Sequence, residues 1–169
     1  MIDNEALAMG KYHLTHKKER EITDQDEIRR ILHGGKYAAI AMCRDNEPYV
    51  VTMSYGYDET KNALYFHCAG LGLKMDFLAA NKNVCATVVE DMGYAAGECS
   101  HHYNSAVFWG KMSVVESLEE KIHGLSVMID QLEEHPGRRK EEVAQYKDEF
   151  DGVKILRLDI QDITGKHGK

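Results

Sequence analysis

The chain has no excess of positive charge: 21 lysines and arginines stand against 28 aspartates and glutamates, a net charge of −7 with neutral histidines. Sequence-independent nucleic-acid binding needs a basic face that neutralises phosphates, so that class is set aside. Long apolar runs are also missing. The longest, Tyr37 to Cys43, falls far short of the roughly 20 residues of a membrane span, and Met1 to Lys18 contains no apolar leader-like core. A cytoplasmic protein without membrane association is expected. Proline is scarce, with two residues, and 43% of the chain is hydrophobic, which excludes collagen-like and disordered classes. The four cysteines, Cys43, Cys68, Cys85 and Cys99, are 25, 17 and 14 residues apart, so no CxxC pair exists and a zinc ribbon is excluded by spacing. Cys43 and Cys85 sit in apolar runs and read as small buried thiols.

What is present is enough for one folded unit. A chain of 169 residues without repeats or a linker-like break reads as a single domain over residues 1–169, the first 16 or so forming an arm. Thr23-Asp24-Gln25-Asp26 resembles a capping box before Ile28, Ile31 and Leu32, and Gly34-Gly35 stops that helix. Tyr37–Cys43, a turn at 44–47, and a strand from Pro48 to Tyr57 predict a hairpin. A second polar turn, Asp58 to Asn62, leads to a third strand, Ala63–Cys68, which completes an antiparallel meander. A glycine loop, Ala69-Gly70-Leu71-Gly72-Leu73-Lys74, enters a short helix at Met75, Leu78 and Ala79. Val84–Val89 is a fourth strand, and Glu90–Ser105 reads as a long polar loop of functional interest. Ala106–Glu116 is a long strand with Gly110 as a bulge point, and Ser117 with Glu120 caps a helix whose apolar stripe is Leu118, Ile122, Leu125, Ile129 and Leu132. A charged helix over Arg138–Phe150, with Val143, Tyr146 and Phe150 as its stripe, and a closing strand over Val153–Ile163 complete the chain. The sum is mainly β: a six-stranded antiparallel barrel with flanking helices.

So small a barrel cannot enclose a large ligand, so a cofactor is expected in a rim groove or between subunits. The glycine loop is the best candidate, because glycine permits close backbone approach, helix-start amides favour an anion, and Lys74 adds a charge. The pattern is neither a P-loop nor the dinucleotide G-x-G-x-x-G. His67 ends the strand before that loop. Cys99, His101 and His102 form a soft-ligand cluster without a standard metal spacing, so no metal site is assigned, while a haem ligand stays open. Trp109, Phe108 and Tyr103 can stack on a planar cofactor or fill core.

In order, REITD, EPYVVTMSYGYD (Glu47 to Asp58), LYFHCAGLGLKMDFLAANKNVCATVV (Leu64 to Val89), YNSAVFWGKMSVVE (Tyr103 to Glu116), EEKIHGLSVMI and ITGK make the chain resemble the pyridoxamine 5′-phosphate oxidase-like FMN-binding split barrels, in the branch of the nitroimidazole-resistance proteins. The resemblance spans about residues 17 to 166. It implies a split β-barrel that dimerises, with FMN in a groove at the subunit interface. Val50, Val51, Thr52, Met53 and Ser54 would run along the flavin, with amides near Thr52, Met53 and Ser54 at its polar edge. His67, Cys68, Ala69, Gly72 and Lys74 would hold the ribityl phosphate, and Ser105 and Trp109, with Tyr103, would approach from the other subunit. His67 matches the histidine implicated at the active site of the nitroimidazole-resistance proteins, which makes it the catalytic candidate. The arginine and serine set of a true pyridoxamine phosphate oxidase is missing. The expected activity is therefore that of an FMN-dependent oxidoreductase acting on nitroaromatic or other small acceptors. The alternatives are a haem-binding split barrel and a flavin-binding protein without catalysis.

Overall fold

In the computed structural model, the described residues are 13–14, 16–145 and 153–168. Most of the arm, and Tyr146 and Phe150 of the charged helix, lie outside the described residues. A 3-10 turn at Lys18–Arg20 leads into β1 (Glu21–Ile22), α1 (Gln25–Gly34), β2 (Tyr37–Arg44), β3 (Glu47–Ser54), β4 (Gly56–Asp58) and β5 (Ala63–Cys68). Then follow α2 (Leu73–Ala80), β6 (Asn83–Ala95), β7 (Ser100–Val114), α3 (Leu118–Leu132), α4 (Pro136–Gln145) and β8 (Lys154–Gly168). Strands pair in the order β3-β2-β6-β7-β8-β5-β4, every pair antiparallel, and β1 pairs with β8.

The two ends of that order, β3 and β4, are consecutive in the chain, so the sheet returns on itself as a barrel. The described residues form eight strands where six were expected. β1 is a two-residue addition, and the predicted strand Pro48–Tyr57 is divided at Tyr55. Tyr55 is fully buried and its hydroxyl donates to the Leu32 carbonyl at 2.5 Å. That anchor turns the chain from pairing with β2 to pairing with β5. The meander is corrected in the same way: β5 lies against β8 and β4, not against β3.

Alternation places one side chain in two inside the barrel. Ala38, Ile40 and Met42 of β2, Val84, Ala86 and Val88 of β6, Phe108 and Met112 of β7, and Leu156 and Leu158 of β8 share one core. β5 is buried on both faces: Leu64 and Phe66 enter that core, and Tyr65 joins Val115, Met128 and Ile155 beneath α3. α3 is capped by Ser117 as predicted, its hydroxyl accepting from the Glu120 amide at 3.2 Å. Its fully buried positions are Lys121, Gly124, Met128 and Ile129, so of the predicted stripe only Ile129 is buried outright. The cause is Gly124, where a Cβ would stand 2.6 Å from the Tyr65 ring; the helix seats its smallest residue against that ring. The α1 cap is Asp24, whose carboxylate accepts from the Asp26 amide at 2.9 Å, one residue after the predicted Thr23.

The predicted loop Glu90–Ser105 is a β-hairpin arm, the far ends of β6 and β7 paired down to Ala95 opposite Ser100, with a register shift between Asp91 and Tyr94. Gly110 coincides with the other register shift, between Trp109 and Gly110, as its sequence position predicts.

Candidate functional site

β3 closes one end of the strand order, and its outer edge has no strand partner among the described residues. An edge strand presents a row of free backbone N–H and C=O groups. Tyr49, Val51 and Met53 pack toward the core, which turns Val50, Thr52 and Ser54 outward. Val50 is 61% exposed.

The glycine loop lies beside this edge because α2 is fastened to β2 and β3. Phe77 and Leu78 are buried, the Tyr49 and Phe77 rings lie 5.0 Å apart, and the Arg44 guanidinium sits 4.6 Å above the Phe77 ring. Gly72 has φ +115°, a conformation glycine alone adopts without strain. Its carbonyl accepts from the amides of Met75 and Asp76, at 2.9 and 3.3 Å, which leaves the Leu73 and Lys74 amides outside the helix ladder.

Two cations meet at this loop. Lys74 enters with α2, and Lys154 opens β8 opposite Cys68, its side chain running under Gly70, where a Cβ would be 3.1 Å from Lys154 Cγ. Neither lysine pairs with a carboxylate among the described residues. Burial pushes the Cys68 thiol up, and the charges of Lys74 and Lys154 oppose that shift, so both bear on the same point. Lys154 escaped the sequence reading. It lies far along the chain, and strand pairing is what delivers it.

Of the predicted residues, Val50, Val51, Thr52, Met53, Ser54, Cys68, Ala69, Gly72 and Lys74 fall on this edge and the adjoining loop. His67 is separated from Cys68 by alternation. It lines a cleft of about 190 Å³ with Leu125, Met128, Ile129, Leu132 and Arg139, beneath α3 and α4. Ser105, itself buried, and the partly buried Trp109 lie on the side of β7 opposite the core residues Ala106 and Phe108, paired with Val89 and Cys85 of β6. β2 and β6 intervene between β7 and β3, which at about 4.8 Å per strand is roughly 14 Å. Within one chain they do not meet the β3 edge.

The histidines of the arm are engaged separately. His101 Nε2 lies 2.7 Å from Asp91, and His102 is 3.8 Å from Glu98. Among the described residues no group of three or more histidines, cysteines or carboxylates is placed to hold a metal. No described helix is long and apolar enough to cross a membrane.

The profile of the pyridoxamine 5′-phosphate oxidase family matches residues 24–167, nearly the whole described barrel. The chain belongs to the pyridoxamine 5′-phosphate oxidase family. Among solved structures it is similar to a candidate 5-nitroimidazole antibiotic resistance protein from Bacteroides thetaiotaomicron, 26% identical over 88% of this chain and 86% of that one, with a TM-score of 0.71. It is also similar to an FAD and haem binding protein from Mycobacterium smegmatis, 21% identical over 89% and 74% of the two chains, TM-score 0.72. A third is the flavocytochrome Anf3 from Azotobacter vinelandii, 18% identical over 92% and 72%, TM-score 0.74. The last two establish the fold alone, a split β-barrel, and the family assignment rests on the profile.

Proposed function

We propose that this member of the pyridoxamine 5′-phosphate oxidase family is a homodimeric, cytoplasmic FMN-dependent oxidoreductase that reduces small acceptors, nitroaromatic compounds among them. The observation that carries the reading is the convergence of Lys74 and Lys154, without carboxylate partners among the described residues, on a loop with two helix-start amides outside the helix ladder. A phosphate monoester calls for that donor set. The loop offers one such cluster, which suits the monophosphate of FMN better than the diphosphate of FAD. When bound, FMN supplies reversible acceptance of hydride or of single electrons.

The chain's own residues then have separate tasks. Lys74, Lys154 and the Leu73 and Lys74 amides hold the phosphate, and Gly72 allows the loop to close on it. The free backbone of Val50–Ser54 meets the polar edge of the ring, with Thr52 and Ser54 turned outward. The exposed outer face of the sheet, with Ala41, Val50 and Val89, supports a second copy packing there. That copy would bring its own Ser105 and Trp109 to a β3 edge that they cannot reach within one chain. His67, exposed in an apolar cleft, is the side chain able to orient a substrate or give it a proton.

An anaerobic absorbance spectrum tests this, before and after addition of FMN and then NADH or NADPH. Flavin bands that bleach with the nucleotide and return with a nitroaromatic acceptor support the oxidoreductase. Bands that form but do not bleach with either nucleotide reduce the reading to a flavin binder. A Soret band without flavin uptake would overturn it in favour of haem, the group that sets the FAD and haem binding protein and the flavocytochrome apart.

A further inference from the structure

A cleft of about 380 Å³ opens between α1, the β4–β5 turn and α3, and shares no residue with the site above. Its walls are His33, Tyr57, Asp58, Glu59, His123, Val127, Asp130 and Gln131, with neither lysine nor arginine. Asp58 is 7% exposed and spends both oxygens on donors: Thr60 Oγ1 at 2.6 Å and the Lys61 amide at 3.1 Å on Oδ1, and His123 Nε2 at 2.6 Å on Oδ2. Against burial, which pushes it up, those donors hold the Asp58 carboxyl below its ordinary range, and at a pH where the His123 ring is neutral the ring carries its proton on Nε2 toward Asp58 and presents Nδ1 as a lone-pair acceptor. His33 repeats the arrangement, with Nε2 at 3.3 Å from Glu59 Oε2. Arg29 reaches Glu59 at Oε1, at 3.4 Å, and Lys140 reaches Asp130 at Oδ2, at 2.7 Å. Asp130 Oδ1 is left without a bond among the described residues. Gln131 is spent as a strut, its amide bonded to the Leu32 and Gly35 carbonyls and its oxygen to the Tyr57 amide.

The available polar groups of the cleft are therefore acceptors: two imidazole Nδ1 atoms, Asp130 Oδ1 and the second lone pairs of the Glu59 oxygens, with Val127 and the Tyr57 ring as apolar wall. A ligand that meets such a set must bring several N–H donors and positive charge. We propose that this cleft is a second site, for a small organic cation bearing a primary ammonium or guanidinium group. His123, held by the buried Asp58, and His33 accept its hydrogen bonds, and the three carboxylates Asp58, Glu59 and Asp130, set against Arg29 and Lys140, leave one negative charge to balance it. The volume fits a small molecule.

The test follows the histidine Cε1–H signals of the full, FMN-free chain by NMR at a pH of about 8, where ordinary imidazoles are neutral. Agmatine, which carries both cationic groups, is titrated in, with sodium chloride at matched ionic strength and glutarate as controls. The expected result is a saturable shift of the His33 and His123 signals with agmatine alone. In the double variant Glu59→Gln, Asp130→Asn, whose altered side chains are exposed, the half-saturation concentration should rise about tenfold. A shift that never saturates, one reproduced by salt or glutarate, or one unchanged in the double variant would overturn the proposal. The readout is independent of flavin, so its failure leaves the FMN reading untouched.

Discussion

Arg30 holds both oxygens of Glu90, Nη1 on Oε1 at 2.8 Å and Nη2 on Oε2 at 2.6 Å, and so ties α1 to the base of the hairpin arm. The same guanidinium reaches Glu27, and Asn104 Nδ2 donates to Glu90 at 2.8 Å. The hydrogen bonds from Arg30 first, then from Asn104, draw the Glu90 carboxyl down to about 2.

A depressed acid stabilises the fold above its ordinary value and loses that contribution as pH falls through the folded one. For Glu90 the window runs from 4.5 down to about 2. Chemical denaturation between pH 5 and about 2.5 should show the wild type losing stability faster than Glu90→Gln. The pair is half exposed, so its worth at neutral pH is no more than about 1 kcal/mol. Parallel slopes for the two proteins would contradict the assignment.

Gln131 joins three elements through one amide. Its Nε2 donates to the Leu32 and Gly35 carbonyls, at 3.1 and 2.6 Å, and its Oε1 accepts from the Tyr57 amide at 2.8 Å. Gln131→Ala removes the side-chain partner of the Gly35 carbonyl and of the Tyr57 amide, and one of the two donors on the Leu32 carbonyl, which keeps the Tyr55 hydroxyl. A loss of about 2–3 kcal/mol is expected, read as a lower urea midpoint with an unchanged m-value.

Gly124 is where α3 meets the barrel. An added methyl at Gly124→Ala would stand 2.6 Å from Tyr65, which is fully buried and hydrogen-bonded to Glu120. Overpacking of this kind costs about 1–3 kcal/mol. Thermal unfolding should show the loss, and since His67 lies beneath the same helix, substrate turnover should fall more than FMN affinity.

Lys74→Gln and Lys154→Gln each remove one charge from the glycine loop while leaving the core intact. FMN affinity should fall about tenfold in each, with a weaker dependence on salt than in the wild type. Unfolding midpoints should stay within about 0.5 kcal/mol of wild type. FMN affinity as tight as wild type in both variants would place the phosphate elsewhere.

Much of this architecture is legible in the chain because local and global signals agree. Ser117 and Glu120 mark the start of α3, Gly110 marks the irregular register in β7, and the polar turns before Glu47 and Ala63 fall where strands end. The hairpin arm was not legible. Met92, Gly93 and Tyr94 are all exposed, so no alternation of apolar and polar residues distinguishes it from a loop. The division of the strand at Tyr55 depends on a hydrogen bond to Leu32, which periodicity cannot encode. Within the site, β3 and the glycine loop were readable as motifs. Lys154 and the pairing of Asp58 with His123 arise from strand register and helix docking, which place residues distant in sequence side by side.

On the reading proposed above, the glycine loop, with Lys74 and Lys154, holds the phosphate of a flavin. Equilibrium dialysis of the full chain against FMN and, separately, riboflavin tests it most directly, because the two differ only in that phosphate. FMN should saturate at one equivalent per protomer, and riboflavin should bind at least about tenfold more weakly. Riboflavin binding as tight as FMN, or no uptake of FMN, would contradict it.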